Sequence, residues 1–243
     1  MGVQRLGFRS VVFDCDSTLA SVEGIDELAA DYLSEVRALT DAAMRGQVKL
    51  EEVYGRRLEI IRPSRSRVEA LGRLYVERVV DDARETIDAL QWLGKDVRVI
   101  SGGLRPPVLA LTRELGIRPR SVAAVDIEFS DDGAYLRFEN GSPLARSQGK
   151  AEVIRNWNLE RPSLMVGDGA TDLEARPEVD SFVAYMGVVY RENVASGADL
   201  VIESKSLAPI LSIAASESDR SRLAISQWHP LLAHGDALLG NPV

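Results

Sequence analysis

The chain carries a single cysteine, Cys15, in 243 residues, so no internal disulfide can form. A reducing compartment follows from that usage, and the cytoplasm is the expectation. Histidine is almost as scarce. His229 and His234 stand five residues apart, which does not fit the i, i+4 pairing of a helical zinc site, so both read as surface or packing residues. Positive charge is in deficit, with 29 Lys and Arg against 37 Asp and Glu, a net charge of −8. That balance excludes sequence-independent binding to nucleic acid or to an anionic membrane surface. No apolar run approaches the roughly 20 residues of a membrane span. Met1 to Leu6 lacks the apolar core of a secretory signal, and Leu6 stands where a myristoylation signal needs a hydroxyl. No internal repeat or low-complexity segment occurs.

What the chain does have is core-forming material, 45% apolar residues, enough for one large domain or a domain with an insert. Ser10 to Phe13 reads as a buried strand. Next, Ile25, Leu28, Ala29, Tyr32, Leu33 and Val36 recur at three- and four-residue steps, one apolar helix face. A break at Gly46-Gln47 separates a second helical stretch that Pro63 stops, and Ser64 to Val80 predicts a third helix. From Ala83 the pattern turns to alternating helices and strands. Strands are predicted at 96–100, 163–166, 181–185 and 199–202, with helices at 83–93, from Pro106 to near Gly116, at 147–157, from Thr171 and, weakly, after Ser206. Val122 to Phe138 reads as a β-hairpin about Asp131-Asp132-Gly133.

This alternation predicts an α/β fold with a mainly parallel sheet, an all-helical insert after the first strand and a short β-hairpin. The organisation expected is a core of residues 1–19 and 81–215, a helical unit of 20–80, and an extension of 216–243. That extension would lie on the core or on a second subunit, so a homodimer is allowed. Ligands of parallel sheets sit outside the carboxyl ends of the strands. The rule gathers Asp14-Asp16, Ser101-Gly102-Gly103 and Gly167-Asp168 onto one edge.

Phosphoryl transfer from an alkyl ester needs a nucleophile, an acid for the leaving oxygen and positive charge on the phosphoryl oxygens. Asp14 is placed as nucleophile and Asp16, on the same turn, as acid then base. Asp168 adds a hard oxygen suited to Mg²⁺, and Asp172 lies one helical turn further on. Ser101 with the Gly102 and Gly103 amides would cradle phosphate at a helix start. Lys150 is the basic residue near a helix N-terminus in this half. Each has a plainer reading too: capping aspartates, a common turn, a solvated lysine.

Taken in order, Asp14-Cys-Asp16-Ser-Thr-Leu, Ser101-Gly-Gly, Lys150 and Gly167-Asp168-Gly-Ala-Thr-Asp172 resemble the four motifs of haloacid-dehalogenase-like phosphatases. The resemblance runs from about Ser10 to Leu211. With Glu23-Gly-Ile-Asp-Glu-Leu it is similar, more narrowly, to the phosphoserine phosphatase family. It implies a Rossmann-like core, a small helical cap and Mg²⁺, with hydrolysis of O-phospho-L-serine in serine biosynthesis. It implies Asp14 as the residue phosphorylated, Asp16 as general acid/base, and Asp14, the Asp16 carbonyl and Asp168 as metal ligands. Ser101, Gly102 and Lys150 would hold phosphate, Asp172 would support the lysine, Glu23 would meet the substrate ammonium and Arg57 its carboxylate. Arg56 competes with Arg57 for that last role. Thr171 replaces the usual Asn at a hydrogen-bonding position; Leu50 and Leu104 replace aromatic residues, which would reshape the pocket. Asp81-Asp82 lacks the customary Pro/Gly hinge. A phosphatase for another small phosphorylated metabolite, or a non-catalytic phospholigand-binding protein on this scaffold, remain the alternatives.

Overall fold

The computed structural model describes residues 7–29, 32, 34–36, 38–39 and 50–240, without the side chains of residues 50 and 51. Strand β1 (Ser10–Phe13) is buried along its whole length. Val11 and Phe13 pack into one apolar cluster and Val12 into a second, as a strand covered on both faces requires. The other strands are β2 (Asp96–Leu104), β3 (Val122–Val125), β4 (Ile127–Phe129), β5 (Tyr135–Phe138), β6 (Ser163–Gly167), β7 (Ser181–Tyr185) and β8 (Leu200–Ile202). Six of them form a parallel sheet in the order β3-β2-β1-β6-β7-β8, while β4 and β5 pair antiparallel as a separate hairpin. Crossover helices α4 (Ala83–Trp92) and α5 (Arg105–Glu114) feed Leu90 and Leu111 into the first cluster. Helix α6 (Gly149–Trp157) feeds Ile154 into the second.

Two expectations are corrected here. Ser101-Gly102-Gly103 is not a turn after β2 but part of it; the strand runs on to Leu104 and α5 starts at once. The pairing with β3 slips between Ile100 and Leu104, an irregularity that glycines in a strand accommodate. The hairpin is also shorter than predicted. Val122–Val125 has bulky residues buried on both faces and joins the parallel sheet beside β2, leaving Ile127–Phe138 to turn at Gly133 with φ +84°.

Between β1 and α4 lie α1 (Gly24–Leu28), α2 (Leu50–Ile61) and α3 (Arg65–Glu77). Ser64 caps α3 by accepting the Arg67 amide at 3.4 Å. The chain leaves and re-enters side by side: Ala20 bridges Val79, and the Val80 amide donates to the Leu19 carbonyl at 3.0 Å. On that pairing we propose residues 20–80 as the inserted unit. Re-entry without Pro or Gly uses Asp82 in the left-handed conformation, φ +59°, with Ser206 donating to its carboxylate at 2.5 Å. Leu33 and the Gly46-Gln47 break fall outside the described residues, as does the Leu50 side chain.

Helices α7 (Ala170–Glu174), α8 (Glu192–Ala195) and α9 (Ala208–Ala214) complete the core. The extension forms α10 (Glu217–Leu223) and α11 (His229–Leu238), and both lie on this chain's own core. Lys95 reaches Asp219 at 2.6 Å, and the Ser212 hydroxyl on α9 donates to the Leu232 carbonyl at 3.3 Å. His234 faces Asp82 at 3.5 Å, a surface pairing rather than a metal site. Among the described residues no helix is long and apolar enough to cross a membrane.

Candidate active site

The strand register decides which residues meet. Phe13 lies opposite both Val99 and Val166, so Asp14 emerges beside Gly167-Asp168, its amide bonded to the Val166 carbonyl at 2.9 Å. A cavity of about 540 Å³ opens at this carboxyl edge, lined by Asp14, Asp16, Gly102, Lys150, Asp168 and Thr171 from the core side. Glu23, Asp26, Tyr54 and Arg57 line it from the helical insert. Cys15 turns the other way, into the core, because neighbouring side chains on an extended segment alternate.

Lys150 sits on the first turn of α6, buried, with Nζ donating to Asp14 Oδ1 and Asp172 Oδ1, each at 2.6 Å. Burial alone would lower the lysine's pKa; the two carboxylates overturn that and raise it. Asp172 is fully buried behind the lysine, its second oxygen accepting the Gly169 amide at 2.9 Å. Burial, then the Asp172 charge, pushes the Asp14 carboxyl well above the carboxylate range, with Lys150 opposing. Asp168 accepts from Thr18 Oγ1 at 3.1 Å and is ion-paired with Arg191.

Asp16 points to the insert. Its Oδ1 accepts the Gly24 amide at 2.6 Å and the Tyr75 hydroxyl at 2.5 Å, and its Oδ2 accepts Ser101 Oγ at 3.1 Å. Burial raises its pKa; the Tyr75 and Gly24 hydrogen bonds hold it down in part. This packing explains two glycines: a Cβ on Gly24 would stand 2.1 Å from the Tyr75 hydroxyl oxygen, and one on Gly103 2.8 Å from Asp16 Oδ2.

Several sequence expectations land elsewhere than in the cavity wall. Ser101 is fully buried behind it, donating to Asp16 and accepting the Gly103 amide at 2.8 Å. Leu104 belongs to the apolar core and does not shape the cavity. Between the two arginines, Arg57 lines the cavity and pairs with Asp26, whereas Arg56 turns outward to Glu52 at 2.9 Å. Glu23 accepts from Ser17 Oγ at 2.8 Å and from Arg191 Nη2 at 2.9 Å.

Arg191, Tyr75 and Tyr54 were not foreseen. Arg191 lies beyond the carboxyl end of β7 in the segment before α8, not directly at the strand end as Asp168 does after β6. Nothing in the spacing around the tyrosines marks them, since an aromatic at helical spacing reads as core.

The three carboxylates of Asp14, Asp168 and Asp172 offer ligand atoms within 4.8 Å of one another, the one such cluster among the described residues. Hard oxygen donors, buried and with Asp14 destabilised as an anion, suit a divalent cation such as Mg²⁺.

Residues 8–180 match the haloacid dehalogenase-like hydrolase family. The chloroplastic phosphoserine phosphatase of Arabidopsis thaliana is 39% identical over 201 residues, spanning 79% of this chain and 68% of the relative. The phosphoserine phosphatase of Bos taurus is 37% identical over 201 residues, spanning 79% of this chain and 88% of the relative. A solved structure described as a phospho-aspartyl intermediate analogue of phosphoserine phosphatase superposes with a TM-score of 0.69 at 28% identity, covering 84% of this chain and 97% of that one. With its motifs on one sheet edge and more than half its length matched, the chain belongs to the haloacid dehalogenase-like hydrolase family.

Proposed function

We propose that this chain is a Mg²⁺-dependent phosphomonoesterase that hydrolyses O-phospho-L-serine through a phosphorylated Asp14. The observation that carries the reading is the pairing of Asp14 with Lys150 at 2.6 Å on the cavity wall, with Asp16 facing the same space. Lys150 spends one hydrogen bond on Asp14 Oδ1, which leaves Oδ2 to attack phosphorus. The new Asp14 O–P bond forms as the P–O bond to the alkyl group breaks. Asp16, whose raised pKa favours its protonated form, gives that proton to the leaving oxygen. Serine leaves, water attacks phosphorus as the Asp14 O–P bond breaks, Asp16 takes the water's proton, and inorganic phosphate departs. Lys150 stays charged throughout and neutralises phosphoryl oxygens.

Asp14, the Asp16 carbonyl and Asp168 would hold Mg²⁺, with Asp172 supporting through Lys150. Bound there, the ion supplies positive charge to the phosphoryl oxygens and relieves carboxylate repulsion. For the substrate's amino-acid end, Glu23 is the acceptor for an ammonium and Arg57 the donor to a carboxylate. The names of the relatives support this substrate class.

The test is phosphate release from a panel of O-phospho-L-serine, O-phosphoethanolamine, sugar phosphates and p-nitrophenyl phosphate, with Mg²⁺ and with EDTA. Turnover is expected only with Mg²⁺, fastest on phosphoserine. A preference for sugar phosphates would overturn the substrate and keep the chemistry; no turnover with Mg²⁺ would overturn both.

A further inference from the structure

Helix α2 holds two polar atoms that the fold leaves unused. The Tyr54 hydroxyl and Arg57 Nε are shut off from solvent, and neither has a hydrogen-bond partner among the described residues. Native proteins rarely keep such atoms without a use. Both residues line the cavity, and three-residue spacing puts them on one helix face. The Tyr54 ring is fixed against Phe138 of β5, with centroids 5.2 Å apart and planes at 57°. Burial and then the Asp16 charge raise the pKa of its hydroxyl, and the Arg57 charge lowers it. Arg57 is oriented by Asp26 at Nη2, which leaves Nε–H to face another acceptor.

We propose that Tyr54 is a specificity-determining residue whose hydroxyl, with Arg57 Nε–H, forms a two-donor seat for a carboxylate on the alkyl part of the substrate. This rests on the phosphoserine reading and adds a group to it. A carboxylate has two acceptor oxygens and no donor, so it satisfies both atoms and carries the charge that Arg57 attracts. An ester whose alkyl part bears only an ammonium offers no acceptor there and leaves both unmade. Tyr54 therefore discriminates O-phospho-L-serine from O-phosphoethanolamine, which differ by that carboxylate.

Tyr54→Phe removes the hydroxyl and keeps the ring on Phe138. With p-nitrophenyl phosphate as reporter substrate, the inhibition constants of O-phospho-L-serine and O-phosphoethanolamine are measured in both proteins. Phosphoserine is expected to weaken by on the order of tenfold or more, the size of a hydrogen bond to a charged group. The inhibition constant of phosphoethanolamine is expected to stay unchanged, and an unchanged circular-dichroism melting curve shows that the variant folds. Unchanged competition by phosphoserine, equal weakening of both inhibitors, or a wild-type protein that binds the two alike would overturn the assignment. Competition reads occupancy alone, so its outcome is separate from whether phosphoserine is the preferred substrate in the turnover panel.

Discussion

Replacing Lys150 with Met tests the centre of the site, because the two side chains have similar length and only the charge is lost. Lys150 Nζ is 2.6 Å from both Asp14 and Asp172, and its side chain is 5% exposed, beside carboxylates 9% and 0% exposed. Little solvent is present to screen the charges left behind. Breaking a buried pair of this kind costs about 3–5 kcal/mol, since it strands an uncompensated charge. At about 2–4 °C per kcal/mol for a protein of this size, the metal-free melting temperature is expected to fall by ~6–20 °C. Adding Mg²⁺ should recover part of that loss, as a replacement cation for Asp14. Turnover with Mg²⁺ should fall by on the order of 10²–10³-fold, the usual effect of removing a preorganised donor from developing charge. The double variant Lys150→Met/Asp172→Asn should melt higher than the sum of its single variants, because Asp172 then no longer needs a counter-ion. Calorimetry in EDTA and in Mg²⁺ measures the stability changes, and phosphate release measures the turnover. A single variant within about 1 kcal/mol of wild type, below the range for a buried pair, would refute the reasoning. So would strict additivity in the double.

Arg191→Gln removes the cation paired with Asp168 and Glu23. The thermal shift on adding Mg²⁺ should then exceed that of wild type, since the ion no longer displaces an existing partner; an equal or smaller shift would show that Arg191 does not occupy the cation's place. The raised pKa of Asp14, caused by burial and then by Asp172, means folding favours its protonated form. Its stability contribution is therefore complete below the unfolded value of about 4 and is lost as pH climbs through the raised one. EDTA-treated protein should melt progressively lower over that climb, and Asp14→Asn should flatten the slope. A slope unchanged in Asp14→Asn would assign the titration to another group.

Much of the core was legible because its signals are local. Strands at 10–13 and 181–185 fall where β-branched and apolar runs place them, and Gly116 ends the α5 segment with a left-handed φ of +68°. The edge rule brought Asp14, Asp16, Gly102 and Asp168 to one cavity, which Lys150 joins from the first turn of α6. What misled was context. Ser101-Gly102-Gly103 has turn chemistry, yet β2 runs on through it past its last partner in β1 and regains its pairing with β3 at Leu104. Val122–Val125 alternates like a hairpin strand, yet burial on both faces makes it a sheet strand. Arg191 lies far along the chain from Glu23 and Asp168, and no short-range pattern encodes a contact over such separations. Tyr54 and Tyr75 look like core aromatics, and only the packed structure reveals that their hydroxyls end at the site.

The placement of Asp16 ties substrate recognition to chemistry. Of the three donors on its carboxylate, Gly24 and Tyr75 come from the helical insert and only Ser101 from the core. Displacing the insert removes two of the three, both of which hold the pKa down, and admits water to a carboxylate whose raised pKa depends first on burial. On the role proposed for Asp16, the insert thus sets its protonation in both directions, through the burial it provides and the bonds it donates. A second link runs the same way, since Glu23 on the insert side is paired with Arg191, which also holds Asp168. On the proposed function, Arg57 and Tyr54 of α2 would therefore bear on more than binding. An ester that seats the insert through them would also complete the environment of Asp16, whereas a bare phosphate ester would meet Asp14 without that help. On this geometry, selectivity should appear in kcat as well as in KM.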